Sequence, residues 1–192
     1  MDRQTDIDTS DEIGAVLLAR ARAAIARELG CPCEAAPDHP SLTEPGASFV
    51  TLTREGKLRG CIGTLSARRA LRDDVDHNAV AAAIRDPRFP PLSRDEFAGT
   101  EVEVSVLSEP EFMTFRDEAD ALAQLRPGID GVILSNGCRQ ATFLPQVWDS
   151  LPERRDFITQ LKRKAGMRDD YWSPNVMLAR YQVRKYKEAA GG

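Results

Sequence analysis

The sequence predicts an α+β fold, a mixed or antiparallel sheet with flanking helices divided into two subdomains. Three observations lead there. Two stretches, 48–65 and 130–144, alternate apolar and polar residues around short turn-like segments, as hairpins do. Apolar residues recur at helical spacing before, between and after these hairpins. The connections are short and irregular, which is compatible with a division into two subdomains.

The elements follow in order. Thr9 and Glu12 have the spacing of a capping box, and Ile13, Val16, Leu17, Ala21, Ala24, Ile25 and Leu29 then recur as one helical face up to Gly30. "CPCEAAPDHPSLTEPGA" is rich in proline and small residues and reads as a surface loop. "SFVTLT", "REGK" and "LRGCIGTL" make a strand, a turn and a returning strand. A helix is predicted from about Arg69 to Ile84, ending before "DPRFPPL" because Pro87 disfavours the α conformation at Asp86. "TEVEVSVLS" is the clearest strand, with Val102, Val104 and Val106 on one side and Glu101, Glu103 and Ser105 on the other. "RDEADALAQL" suggests a short helix stopped by Pro127 and Gly128. "DGVILSNGCRQATFL" reads as a hairpin turning on Asn136-Gly137 in a type I′ geometry. "PERRDFITQLKRKAG" is a further helix with Gly166 as its stop, and "VMLARYQVRKYK" reads as one closing strand.

Composition narrows the function. The 192 residues carry a net charge of -4, with 42% hydrophobic and 29% charged residues, an ordinary balance for a globular protein. That charge argues against a general nucleic-acid partner, since phosphate contacts need lysine and arginine in excess. The segment from Leu151 to Lys187 is locally basic, with ten Lys/Arg against four Asp/Glu, which fits a solvated face or an RNA contact through Lys162, Arg163 and Lys164. No apolar run is long enough to span a membrane. The N-terminus "MDRQTDIDTSDE" is acidic where a secretory leader would be basic and then apolar, so a cytoplasmic location is expected. The cysteines Cys31, Cys33, Cys61 and Cys138 are too scattered for a disulfide framework and read as thiols.

The residues with chemical potential centre on "LRGCIG". Glycine weakens a strand interior and marks a bulge or a close backbone approach, yet Gly60 and Gly63 bracket Cys61. Strict alternation places Leu58, Gly60 and Ile62 on one face and Arg59, Cys61 and Gly63 on the other. Arg59 beside Cys61 would favour the thiolate, and Gly63 would leave space above it. A small buried thiol, with glycines relieving the packing of the next helix, fits the same residues. His77, on the following helix, would supply a base if the return brings it to Cys61; beside Asp73, Asp74 and Asp76 it equally fits a surface ion pair. Glu103 sits mid-strand opposite an all-valine face and calls for a cation such as Arg59 or Arg88, or for an open solvated face. Cys31, Cys33 and His39 lie close in sequence but fit no usual zinc spacing, and no phosphate loop, dinucleotide fingerprint or iron-sulfur signature is present. No metal and no cofactor are expected.

"FVTLTREGKLRGCIGTL", "AAAIRDPRFPPLSRDEF", "EVEVSVLSEP", "GIDGVIL", "ATFLPQVW" and "FITQLKRKAGM" occur in the order found in the AMMECR-one family, which the chain resembles from about Ile13 to Tyr186. Bacterial and archaeal members are called protein A of the AmmeMemoRadiSam system. The resemblance implies a single domain spanning residues 1–192, built of two subdomains. It implies partnership with a Memo-like protein and a radical S-adenosylmethionine enzyme, and a ligand or catalytic cleft around the signature. Carried over residue by residue, it directs attention to Arg59, Gly60, Cys61, Gly63, Arg88, Glu103, Thr142 and Gln146. Cys61 and Glu103 are the catalytic candidates on this reading, with His77 added from its place on the helix after the Cys61 strand, since its "HNA" is similar to the bacterial branch and not to the whole family. Arg59, Gly60, Gly63, Arg88, Thr142 and Gln146 would hold a small anionic ligand. A non-catalytic protein-binding adaptor and an RNA-binding protein are the alternatives.

Overall fold

The computed structural model describes the backbone of residues 3–188 and, within the first helix, side chains from Glu12 onward. The chain separates into two compact units, residues 1–107 with 184–192 and residues 108–183.

The first unit opens with α1 (Arg3–Leu29). The helix begins upstream of Thr9, so Thr9 is an interior position rather than a cap, and its side chain lies outside the described residues. A short 3-10 turn, Pro40–Thr43, interrupts the predicted loop, with His39 accepting from Ser41 N at 3.2 Å. Strands β1 (Pro45–Arg54) and β2 (Lys57–Gly63) form the predicted hairpin. Its two-residue turn, Glu55-Gly56, has φ of 52° and 72°, the left-handed pair that a type I′ turn requires. After β3 (Arg69–Ala70), helix α2 (Leu71–Ile84) stops ahead of Pro87 as expected. A one-turn helix, α3 (Arg94–Phe97), carries a capping box between Ser93 and Glu96. It is followed by β4 (Thr100–Leu107).

The main sheet runs β2-β1-β4-β9, where β9 is Val183–Lys187, with β3 added on β1. Helices α1 and α2 pack together against one face. Val50, Leu52, Val102 and Val104 point into that layer with no exposure, against Leu17, Ile25, Val75 and Ala79. Each such burial contributes about 1.5–3 kcal/mol before the cost of ordering the chain. The opposite face carries Phe49, Thr51 and Thr53 from β1 and Glu101, Glu103 and Ser105 from β4. We call it the outer face.

The second unit is a four-stranded sheet in the order β5-β8-β6-β7. Its strands are β5 (Glu111–Phe112), β6 (Gly131–Asn136), β7 (Arg139–Phe143) and β8 (Met177–Tyr181). Helices α4 (Glu118–Gln124) and α5 (Arg154–Lys164) complete it. Trp148 stacks on Phe157 with ring centroids 3.7 Å apart, and Leu134, Leu161 and Leu178 close the core around them. The β6–β7 turn is centred on Gly137-Cys138 rather than on Asn136-Gly137. Asn136 pairs with Arg139 in the ladder, and Gly137 has φ of 61° at the first turn position, which suits a type II′ geometry.

The predicted closing strand is two strands. It breaks at Gln182, whose N–H donates to Ser108 Oγ at 3.0 Å while its carbonyl accepts from Ser108 N at 2.9 Å. β8 therefore belongs to the second unit's sheet and β9 to the first unit's. The alternation of Ala179, Tyr181 and Val183 runs through Gln182 and changes phase only afterwards, at Tyr186, so the hydrophobic spacing did not mark the break at its own position. No helix among the described residues is long and apolar enough to cross a membrane.

Candidate functional site

The hairpin register contains one irregularity, and it decides the site. Leu52 opposes Gly60 but Thr53 opposes Leu58, which makes Arg59 the extra residue of a β-bulge. Leu58 is thereby re-aimed to the outer face beside Thr53 and is 43% exposed. Arg59 turns instead to the Arg54 end of the hairpin, where its Nε and Nη2 each donate to Glu96 at 3.1 Å, and Arg54 Nη1 lies 3.4 Å from the same carboxylate. The expected placement of Arg59 beside Cys61 is thus corrected, because the bulge breaks the alternation on which it rested. Arg59 holds the Glu96 carboxyl down to about 2, helped by the Ser93 backbone N–H.

Both glycines have structural causes on opposite faces. A Cβ on Gly60 would collide with the Ala82 carbonyl oxygen, so its absence lets α2 lie directly on β2. A Cβ on Gly63 would collide with the Phe49 ring, which lies over it from the paired position on β1. The space expected above Gly63 is therefore filled by an aromatic side chain that covers the glycine.

Cys61 itself faces outward, partly exposed, between these two features. Thr51 opposes it on β1, and Thr51 Oγ1 donates to Cys61 Sγ at 3.3 Å. Glu103 opposes Thr51 from the other side, on β4. Cys61, Thr51 and Glu103 thus form one row across three strands, spanning about 10 Å at the strand spacing of a sheet. Glu103 is half-buried, and among the described residues no hydrogen-bond or ion-pair partner meets its carboxylate. The neighbouring Glu101 is paired, with Lys187 Nζ at 3.2 Å.

β2 is an edge strand, and its outward backbone groups at Cys61 are met by the "DPR" segment after α2. Asp86 Oδ2 accepts from Cys61 N at 2.8 Å, and Arg88 Nη2 donates to Cys61 O at 3.2 Å. The two side chains are locked together, with Arg88 Nε and Nη2 donating to Asp86 at 2.9 and 2.7 Å. Arg88 holds the nearly buried Asp86 carboxyl well below the usual carboxylate range. In turn the Asp86 carboxylate raises the Arg88 guanidinium. Arg88 is therefore a cation bound to the backbone of Cys61. Phe89 lies beside both arginines, 5.5 Å from the Arg88 guanidinium carbon and 5.9 Å from that of Arg59.

The remaining candidates are elsewhere. His77 is exposed on α2, which packs against the other face of the sheet, so the structure does not bring it to Cys61. Thr142 and Gln146 belong to the second unit. The Thr142 hydroxyl donates to Val132 O at 2.9 Å and meets the Tyr181 hydroxyl at 3.1 Å, while Gln146 is exposed in the 3-10 turn Pro145–Asp149. The basic cluster of α5 is engaged within the fold. Lys162 Nζ donates to Glu118 at 2.6 Å, Arg163 Nε to Asp169 at 2.7 Å, and Lys164 Nζ to Thr142 O at 3.0 Å. Among the described residues no three His, Cys, Asp or Glu side chains are grouped to hold a metal ion.

Two residues escaped sequence reasoning. Glu96 carried the signal of a capping box, S-x-x-E in "SRDE", and Asp86 stood two residues before Arg88 in "DPR". Their partners lie 37 and 25 positions away in β2, beyond what local spacing shows.

Comparison with known proteins places this arrangement in a family. A protein of Thermotoga maritima is 38% identical over 158 residues, covering 81% of this chain and 85% of its own length. A protein of Methanothermobacter thermautotrophicus is 37% identical over 146 residues, covering 73% and 74% of the two chains. The crystal structure of the uncharacterized protein PH0010 from Pyrococcus horikoshii superposes with a TM-score of 0.77 at 31% identity, covering 92% of each chain. The AMMECR1 family model matches residues 18–186, and the chain belongs to that family.

Proposed function

We propose that the outer-face row Cys61, Thr51 and Glu103 is the ligand or catalytic site of this AMMECR1-family protein. On this reading the protein works in the cytoplasm with a Memo-like protein and a radical S-adenosylmethionine enzyme, as a component of the AmmeMemoRadiSam system. The partnership is supported by the family resemblance of the sequence. The site is supported by one observation above all. A partly exposed thiol receives a hydrogen bond from Thr51, belongs to a residue whose carbonyl Arg88 binds, and shares its row with a carboxylate that no donor among the described residues meets.

The chemistry follows from the groups. The sulfur accepts from a hydroxyl and its residue's carbonyl from a guanidinium, and a cysteine reacts as a nucleophile through its thiolate. Glu103 is held two strands away, too far to take the thiol proton directly, so it would act as acid or base on a bound molecule lying over Thr51. Arg88, with 53% of its side chain exposed, is the residue placed to meet an anionic group; Arg59 is already held by both Glu96 oxygens.

Limited alkylation tests this reading. Iodoacetamide forms a thioether as the thiolate displaces iodide, so its rate reports the thiolate fraction. With peptide mapping by mass spectrometry, Cys61 is expected to label faster than Cys31, Cys33 and Cys138 in the folded protein, and Arg88→Ala to slow Cys61 about three- to tenfold. Labelling of Cys61 no faster than the exposed Cys33 and Cys138 overturns it.

A further inference from the structure

Resting on that reading, we propose that Asp86 is a positioning residue for the Cys61 thiol. Its carboxylate takes the place of a neighbouring strand at the β2 edge and, through the Cys61 peptide, sets the sulfur against Thr51.

The pairing pattern of the hairpin creates the need. Thr64 N donates to Ser48 O at 2.9 Å, so these two opposed residues, which continue the β1–β2 register, are a hydrogen-bonded pair. In an antiparallel ladder such pairs alternate with non-bonded ones, so Val50 and Ile62 bond while Thr51 and Cys61 do not. The Cys61 N–H and carbonyl therefore point away from β1, toward the open edge of the sheet. A non-bonded pair lies closer, about 4.5 Å between Cα atoms against about 5.5 Å, and its side chains are closer too. Thr51 Oγ1 accordingly reaches Cys61 Sγ at 3.3 Å. The same geometry leaves the Cys61 amide without a partner in the ladder.

Asp86 supplies that partner. Its Oδ2 accepts from Cys61 N at 2.8 Å and from Arg88 Nη2 at 2.7 Å, and its Oδ1 accepts from Arg88 N at 3.1 Å and from Arg88 Nε at 2.9 Å. Four donors hold the carboxylate in one orientation, and Pro87, with its fixed φ, stiffens the step between Asp86 and Arg88. Arg88 keeps Asp86 well below the usual carboxylate range, so it remains an acceptor wherever a thiol reacts. Arg88 also closes the other side of the same peptide, at the Cys61 carbonyl.

The glycine before Cys61 serves the same contact. Without a Cβ at Gly60, the Ala82 carbonyl of α2 lies directly on β2. Asp86 follows Ala82 just past the end of the helix and so arrives at the residue after Gly60. An aspartate is short, and a helix held farther off would leave its carboxylate out of reach of the Cys61 amide.

Two measurements on the full-length protein test the proposal. In amide hydrogen exchange of the unsubstituted protein, Cys61 N–H is expected to exchange within about tenfold of the ladder-bonded Ile62 N–H. A faster Cys61 amide overturns the proposal, and no variant has to fold for that result. In Asp86→Ala the Cys61 amide should exchange at least about tenfold faster, with Ile62 unchanged as the check that the hairpin persists. The second measurement is a double-mutant cycle on the iodoacetamide rate of Cys61. Thr51→Val should slow Cys61 about threefold in the unsubstituted protein and less than about 1.5-fold in the Asp86→Ala background. A carboxylate that only stabilises the fold leaves the two factors equal, and equal factors, including no effect in either background, overturn the proposal. The two levels separate at the thiol itself: equal factors at a fast-labelling Cys61 remove the role of Asp86 and leave the site, whereas a Cys61 no faster than Cys33 and Cys138 removes both.

Discussion

The two units treat their buried and half-buried charges in opposite ways. In the second unit each deeply placed polar group is matched. Lys162, only 2% exposed at its side chain, donates to Glu118 and to the Asp169 carbonyl and lies 5.3 Å from the Trp172 ring centre. Asp130, fully buried, receives the Arg126 guanidinium at 2.6 and 3.0 Å. In the first unit, Arg59, Asp86 and Arg88 are matched just as thoroughly, but Glu103, two strands away on β4, meets no donor among the described residues. The comparison teaches that this chain can complete a polar network where the fold needs one. The first unit leaves more open: besides Glu103 on the outer face, Arg20 Nε, Asp76 Oδ1 and Asn78 Oδ1 are buried at α1 and α2 with no partner among the described residues.

The largest test of that contrast is on the matched side. Lys162→Ala removes the charge that Glu118 and Asp169 share and should cost about 3 kcal/mol of unfolding free energy, near the low end for a broken buried pair because Glu118 can rehydrate. Urea denaturation measures it, and a loss below about 1 kcal/mol would erase the distinction between the units.

An intermediate effect belongs to Glu96. Its carboxyl titrates near 4.5 when unpaired and is lowered to about 2 in the fold by Arg59. The protonated form is thus disfavoured by folding. Stability from this pair is fully present above about pH 4.5 and is lost as the pH falls through about 2. Discounted for solvent screening, the difference in acid sensitivity between the unsubstituted protein and Arg59→Met should be about 1 kcal/mol, read from urea midpoints between pH 6 and pH 2. Parallel curves for the two proteins would mean that the bidentate pair is not held in solution.

The smallest effect is the sharpest for the site. Glu103→Gln removes a charge that no donor among the described residues answers, so stability should change by less than about 0.5 kcal/mol, in either direction. A destabilisation above about 1 kcal/mol would show that the carboxylate serves the fold, and the contrast between the units would fail at its centre.

Much of the architecture was legible because it rests on periodicity and punctuation. The valine face of β4, the Glu55-Gly56 turn and the end of α2 before Pro87 each follow from rules that act within a few residues. The site was legible in part. Alternation placed Cys61, Gly63 and Glu103 on the outer side correctly, and it failed at Arg59 because a bulge is set by pairing with another strand rather than by the strand's own pattern. The same limit hid Asp86 and Glu96, whose partners are distant in sequence, and the break at Gln182, which depends on Ser108. His77 showed the opposite error, a helix neighbour in sequence that lies behind the sheet.

The Asp86 and Arg88 contacts on β2 carry a consequence for how other molecules can approach. An edge strand normally offers its amide and carbonyl groups as a template on which a foreign strand can zip, and here the groups of the central residue are already satisfied from within. Extension of the sheet along this rim would require that lock to open first. In the folded chain, strand pairing at this residue, by another protein or by a second copy, meets groups that already have partners.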